Sequence, residues 1–316
     1  MTAFHDRGWA ALIAGVVALL VLASTVGWIL SRRARSDAAR ATIDNLNARI
    51  RAWWVMAALF LGAITVGRTG AVAFFSLVSL LALREFITLA PTRAADHRAL
   101  FWSFFIVTPL QYYFVWTSWY GLFSILIPVY VSVFLAIRTA LAGDTEHFLQ
   151  RTATNYWGLM ICVYFVSHVP ALMTLHIAGY EHQNVKLIAF FVLVVQLSDV
   201  LQYVWGKWLG TRRVAPSISP NKTWEGLVGG VLTATAIGTG LWWITPFSPG
   251  AAAAMACVLT LMGFAGGLIM AAIKRDRGVK DFGALIEGHG GVLDRIDSLC
   301  FAAPVFFHLV RFFYAS

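Results

Sequence analysis

Charge is scarce in this chain. Asp, Glu, Lys and Arg make up 12% of its 316 residues, 59% are hydrophobic, and the mean hydropathy is +0.73. That shortage excludes a soluble helical bundle, which needs polar faces, and leaves a polytopic membrane protein. Cysteine is nearly as scarce. Cys162, Cys257 and Cys300 each lie inside an apolar run without metal-ligand spacing, so neither a zinc site nor a disulfide framework is indicated. No P-loop and no Rossmann glycine fingerprint occurs. The basic balance, with a pI near 9.8, reflects membrane topology, and no nucleic-acid partner is expected.

What is present is a series of long apolar runs. In hydrocarbon every backbone polar group must bond internally, so these runs must be helices. They fall at 9–30, 52–66, 71–90, 100–116, 120–137, 156–175, 187–205, 227–244, 251–272 and 299–313. The expectation is an all-α integral membrane protein with about ten transmembrane helices. The first run is longer than a signal's apolar core and is followed at once by SRRAR, so it reads as a true span.

Lys and Arg set the orientation. Twenty of the 24 lie in or beside five alternate connections, 31–51, 84–98, 138–155, 206–223 and 273–297. The positive-inside rule makes these cytoplasmic and puts both termini outside. In the first connection, Ile43, Leu46 and Ile50 recur at helical spacing between arginines, which suggests a short interfacial helix on membrane lipids. Two parts are expected: 1–51, an extra span with a basic linker, and 52–316, the main membrane domain.

Polar groups concentrate in three places. In the seventh run Gln196, Asp199 and Tyr203 share a helical face, and an Asp within a span is by default a functional hypothesis. The bland alternative is that Asp199 reaches water or pairs with Lys207. The next connection reads APSISPNKTWEG, where Pro216 and Pro220 rule out a continuous helix. Thr223 is placed to N-cap the eighth span with Glu225 in its first turn, which offers a phosphate-friendly helix start. A capped turn with a snorkelling Lys222 explains this loop equally well. The third place is 274–298, KRDRGVKDFGALIEGHGGVLDRIDS, with five basic and five acidic residues between two apolar runs. Asp294 and Asp297 fall on one face in the first turn of the last helix, a pairing that suits a hard divalent cation. Gly288, Gly290 and Gly291 around His289 allow a backbone to approach a ligand closely.

These residues resemble the phosphatidate cytidylyltransferases, also called CDP-diacylglycerol synthases. The resemblance rests on Lys274-Arg275, Lys280-Asp281, Gly283, His289-Gly290-Gly291 and Asp294-Arg295-x-Asp297. Upstream it rests on Ser219, Pro220, Lys222, Thr223, Trp224, Glu225 and Gly226, preceded by Asp199 and Gly206-Lys207. It covers about residues 50–316, strongly over 196–300. The chain departs from the pattern where the family usually carries an acid: Gly267 stands there, and Met270-Ala271 replaces Glu-Ser. The resemblance therefore looks like that of a divergent paralogue.

The resemblance implies transfer of a cytidylyl group from CTP to phosphatidate with Mg²⁺, giving CDP-diacylglycerol and pyrophosphate. It implies that Asp294, with Asp297 and Asp281, holds Mg²⁺. Lys222, Lys274, Arg275, Lys280 and Arg295 are expected to clamp phosphates that Ser219, Asn221 and Thr223 orient. Asp199 is expected to support the metal or the cytidine side. His289 is expected either to contact phosphate or to make a structural hydrogen bond. The setting implied is a bacterial inner membrane with the site facing the cytoplasm, and a homodimer is among the expected assemblies. Three competing readings stand beside this one: a different lipid phosphate as substrate, a catalytically impaired lipid-binding scaffold and, last, a transporter.

Overall fold

Most described residues are helical, as the apolar runs require. The computed structural model describes residues 7–33, 36–286, 288 and 290–315. Helices α1 (Arg7–Arg33) and α2 (Asp37–Thr65) form a hairpin, tied by Trp54 Nε1 donating to Ser24 Oγ at 3.0 Å. Then come α3 (Arg68–Thr88), α4 (Ala94–Trp116), α5 (Tyr120–Ala140), α6 (Phe148–Thr174) and α7 (Asn184–Leu209). A short antiparallel hairpin, β1 (Arg213–Ala215) with β2 (Ser219–Thr223), leads into α8 (Trp224–Gly240). Helices α9 (Pro249–Asp276) and α10 (Leu293–Tyr314) complete the chain. Helices α4, α5 and α6 each contain a π-helical turn, at Ser103–Val107, Leu126–Val131 and Met160–Phe165.

The ten apolar runs correspond one to one with ten helices, but only nine of these, among the described residues, are long and apolar enough to cross a membrane. The exception is α8. Its 17 residues fall short of the ~20 that span hydrocarbon. A second difference concerns the basic linker. In place of a separate interfacial helix, the 29 residues of α2 run unbroken through positions 51 and 52. At 1.5 Å per residue such a helix is about 43 Å long, well beyond the ~30 Å of hydrocarbon. Its polar first half therefore extends beyond the length that hydrocarbon requires. The third difference is the hairpin. Pro216 and Pro220 do exclude a helix, and the segment between them turns back as two strands, with Ala215 paired to Ser219 and Arg213 to Thr223.

Small residues determine which helices meet most closely, as is usual where lipid removes the hydrophobic drive for association. A Cβ on Gly226 would lie 2.8 Å from the Gln202 carbonyl and 3.0 Å from Gly206 Cα, so α7 and α8 touch backbone to backbone. On α9, a Cβ at Gly263 would meet Val195 Cγ1 of α7 at 3.3 Å, and one at Gly266 would meet the Asp297 carbonyl of α10 at 3.0 Å. Helices α7, α9 and α10 converge on this small-residue stripe. Their convergence positions the site.

Candidate active site

The loop Arg277–Val292 joins α9 to α10 and delivers Asp294 into a nearly closed setting. Its side chain is 1% exposed. Oδ1 accepts from Lys274 Nζ at 2.9 Å, and Oδ2 accepts from the backbone N–H groups of Phe282 (2.7 Å) and Gly291 (3.0 Å). Gly290 has φ +80°, and a Cβ there would crowd Asp294 Oδ2 at 3.0 Å and Asp281 Cβ at 3.2 Å. Glycine is thus required twice over, by conformation and by space.

A residue that the sequence reading passed over completes this corner. Glu85, on α3, is buried and accepts from the N–H groups of Val292 (2.9 Å) and Leu293 (2.8 Å). Val292, at the N-cap, offers no side-chain acceptor, so a carboxylate from 207 residues away satisfies the start of α10. The signal was available: Glu85 is an acid inside an apolar run, the same criterion that singled out Asp199.

One turn further along α10 lies a second cluster. Ser298 Oγ donates to Asp199 Oδ2 at 2.7 Å and lies 3.5 Å from Asp297 Oδ1, which also accepts from Ser298 N at 2.8 Å. Gln196 Nε2 donates to the Arg295 carbonyl at 3.1 Å, fixing α7 against α10 beside the acids. Lys222 reaches in from β2. Its Nζ donates to the Phe264 carbonyl at 3.3 Å, stands 4.5 Å above the Phe264 ring, and would be 2.8 Å from a Cβ on Gly267. Burial pushes the Lys222 ammonium below its usual value, while Asp199 and Asp297 pull it the other way. The acid absent at position 267 thus leaves a notch, and the Lys222 ammonium borders it.

The other expected residues divide. Arg275 is engaged structurally, donating to the carbonyls of Ile218 (3.2 Å) and Val279 (3.1 Å), which ties the hairpin turn to the end of α9. Lys280, Asp281 and Asn221 are exposed, and Ser219 is half-buried in β2. Arg295 has a buried Nε with no partner among the described residues. Thr223 caps α8 as expected, accepting from Gly226 N at 3.1 Å. Glu225 bends away from the site to accept from Thr211 and Arg212. Tyr203 does not join Asp199 and is 64% exposed, and Lys207 lies over the Tyr203 ring. His289 lies outside the described residues.

Among the described residues no three His, Cys, Asp or Glu side chains gather as a ready-made metal cage. Mg²⁺ does not need one, because it is held through one or two carboxylates together with substrate phosphates and water. Asp199 and Asp297, linked by Ser298, fit that description. Asp294 fits it less well, since both of its oxygens already accept hydrogen bonds.

The sequence has relatives among known proteins. The profile of the cytidylyltransferase family matches residues 47–313. The chain is 37% identical over 308 residues to the uncharacterized protein YnbB of Escherichia coli K12, covering 95% of this chain and 97% of that one. It is 30% identical over 268 residues to a phosphatidate cytidylyltransferase of Brucella abortus, covering 84% and 93%. A phosphatidate cytidylyltransferase of Staphylococcus haemolyticus is 27% identical over 251 residues, covering 78% and 92%. A family match over most of the chain, together with 30% identity to a relative over most of both chains, makes this chain a member of the cytidylyltransferase family.

Proposed function

We propose that this membrane protein transfers the cytidylyl group of CTP to phosphatidate, forming CDP-diacylglycerol and releasing pyrophosphate for phospholipid synthesis. The carrying observation is the Ser298 hydroxyl set between Asp199 and Asp297, with Lys222 across the Gly267 notch and the Lys274–Asp294 pair one helical turn away. The names of the relatives support phosphatidate as the lipid acceptor.

The chemistry is the attack of a phosphate oxygen of phosphatidate on the α-phosphorus of CTP. A new P–O bond forms, the bond to the bridging oxygen toward the β-phosphorus breaks, and pyrophosphate leaves. The second pKa of a phosphate monoester is about 6, so the nucleophile is ionised near neutral pH and needs no general base. The difficulty is bringing two polyanions together. Bound Mg²⁺ would supply positive charge to offset that developing on the leaving group. Asp199 and Asp297 would hold it, and Asp294 keeps Lys274 and the loop amides in place. Lys222, Lys280 and Arg295 have the charge to steady phosphates, Arg295 through the unpartnered Nε. Asn221 and Ser219 flank Lys222 on the hairpin and would orient the phosphate groups. By the charge count the site faces the cytoplasm, where CTP is found.

The test is purified protein in detergent with CTP, Mg²⁺ and a panel of lipid phosphates, following pyrophosphate. Fastest turnover with phosphatidate supports the proposal. A different preferred lipid phosphate would move the chain to another acceptor. No turnover on any of them would leave a binding scaffold.

A further inference from the structure

Three glycines of the loop before α10 are required for different reasons. Gly290 has φ +80° and lies against Asp294. Gly283 and Gly291 have no positive φ, so their backbones would accept a side chain. What excludes one is a single residue of α3. The three atoms nearest a Cβ on Gly283 would be Oε1, Cδ and Cγ of Glu85, at 2.7, 2.8 and 3.1 Å. Those nearest a Cβ on Gly291 would be Oε2, Cδ and Oε1 of the same side chain, the last two at 2.6 and 2.7 Å. The Glu85 carboxylate thus lies between the two limbs of the loop, with a glycine of each limb against it. Its oxygens accept from Val292 and Leu293, while the neighbouring N–H of Gly291 goes to Asp294 Oδ2, which also accepts from Phe282 on the other limb. Phe86, next to Glu85, stacks on Phe282 at 6.4 Å. Capping α10 would require only the second limb, but α3 grips both. The spacing of the limbs is what lets Phe282 and Gly291 reach one Asp294 oxygen while the other holds Lys274 Nζ at 2.9 Å.

We propose that Glu85 is a positioning residue of the transfer site. Its carboxylate is the peg on which the loop closes, Gly283 and Gly291 are the seat that receives it, and it acts on the substrate phosphates through Asp294 and Lys274. The proposal deepens the cytidylyl-transfer reading above, and its kinetic arm rests on that reading. It assigns Gly283 and Gly291 to the approach of a carboxylate from α3, not to the approach of a ligand.

The experiment is a pair of double-mutant cycles on the full-length protein in detergent, joining Glu85→Ala with Gly291→Ala and, separately, with Gly283→Ala. Each single variant should lower kcat about tenfold, with KM for CTP and for phosphatidate changed less than about twofold. Removing the carboxylate empties the space that an alanine methyl needs, so each double variant should turn over no more slowly than Glu85→Ala alone. Losses that multiply in both cycles would overturn the proposal. So would single variants that lower Tm and leave kcat unchanged, which is what a cap alone would do. A second readout needs no turnover and uses Glu85→Gln, which keeps the size of the side chain and one acceptor. Amide hydrogen exchange should quicken at least about tenfold in peptides from both limbs, 279–284 and 290–295, while 224–240 of α8 keeps its rate. Quickening confined to 290–295, or none in either limb, would overturn the proposal. If the wild type turns over no lipid phosphate, the functional reading falls, and the exchange measurement alone decides the role of Glu85.

Discussion

Replacing Gly267 by Asp distinguishes two accounts of the notch on α9. On the sequence alone, restoring an acid should raise activity if the site is merely weakened, and a loss would mean that the site is built differently. The geometry favours loss. The first added atom would lie 2.8 Å from Lys222 Nζ and 3.5 Å from Ser298 Oγ. A carboxylate there would meet an ammonium already shared with Asp199 and Asp297. A unit-charge pair at 4 Å is worth about 4 kcal/mol at an effective dielectric of 20. Desolvating the new carboxylate offsets a good part of this, leaving roughly 1–3 kcal/mol to hold Lys222 in the notch. If Lys222 must turn toward phosphate in the transition state, that trapping slows turnover about ten- to a hundredfold. The assay is kcat and kcat/KM for CTP across a Mg²⁺ titration, with Gly267→Asn as the uncharged control of similar size. Equal losses in the two variants would reduce the effect to sterics. Faster turnover in Gly267→Asp at any Mg²⁺ concentration would refute the reasoning.

Glu85→Ala should destabilise the protein by about 3 kcal/mol, the worth of two charge-assisted hydrogen bonds at a buried helix start. Glu85→Gln keeps one acceptor and should lose less; thermal unfolding in detergent measures both, and an unchanged Tm for Glu85→Ala would remove the capping role. Asp199→Asn should cut kcat about a hundredfold or more, while Ser298→Ala, which only frees Asp199, should mainly raise the Mg²⁺ concentration for half-maximal rate; equal effects would argue against an acid pair. Arg151, 2% exposed, is held by Asp96 at 3.2 Å and Asp144 at 2.8 Å, so Asp96→Asn should cost about 3 kcal/mol by leaving a buried charge half paired. Asp144 accepts from Glu146 N and pairs with Arg151 and Arg93, which holds its carboxyl below the ordinary value of 3.8. Its stabilisation is therefore complete above pH 3.8 and is lost as pH falls through the lower folded value. Asp144→Asn should flatten that acid limb in a plot of Tm against pH.

Much of this fold was legible because lipid enforces a simple code. Apolar length gave the helices, and the proline pair with Thr223 gave the break and cap before α8. What sequence could not supply was pairing at a distance. Nothing near Val292 announces that its N–H belongs to Glu85, and nothing near Lys222 announces the notch at Gly267. The polarity of α2 misled for a different reason. An amphipathic stretch reads the same whether it lies on lipid or extends a span, and only continuity of the helix across position 51 decides. In the structure, Gly288 of the loop before α10 lies against this extension, where a Cβ would be 3.4 Å from Arg49 Cγ and 3.5 Å from Asn45 Oδ1.

Asp294 and Asp297 show where helical spacing alone falls short. Three residues apart, they share a face of α10 and invite assignment to one metal. In the structure they are held differently, Asp294 by Lys274 Nζ and two loop amides, Asp297 by Ser298 beside Asp199. Counting formal charges at the heart of the site, Asp199, Asp294 and Asp297 balance Lys222, Lys274 and Arg295, three of each sign. A neutral cluster holds its shape at rest without the repulsion that three unpaired cations would impose. It attracts a triphosphate and a phosphate monoester only weakly. Binding both at once calls for positive charge from elsewhere, and Lys280 at the exposed rim supplies a single unit. A divalent cation arriving with the nucleotide would supply the rest. On that account Mg²⁺ should tighten CTP binding more than it tightens phosphatidate binding, and equilibrium titrations of each ligand with and without the metal measure the difference. Equal enhancement of both would mean that the cation resides between Asp199 and Asp297 before either substrate binds.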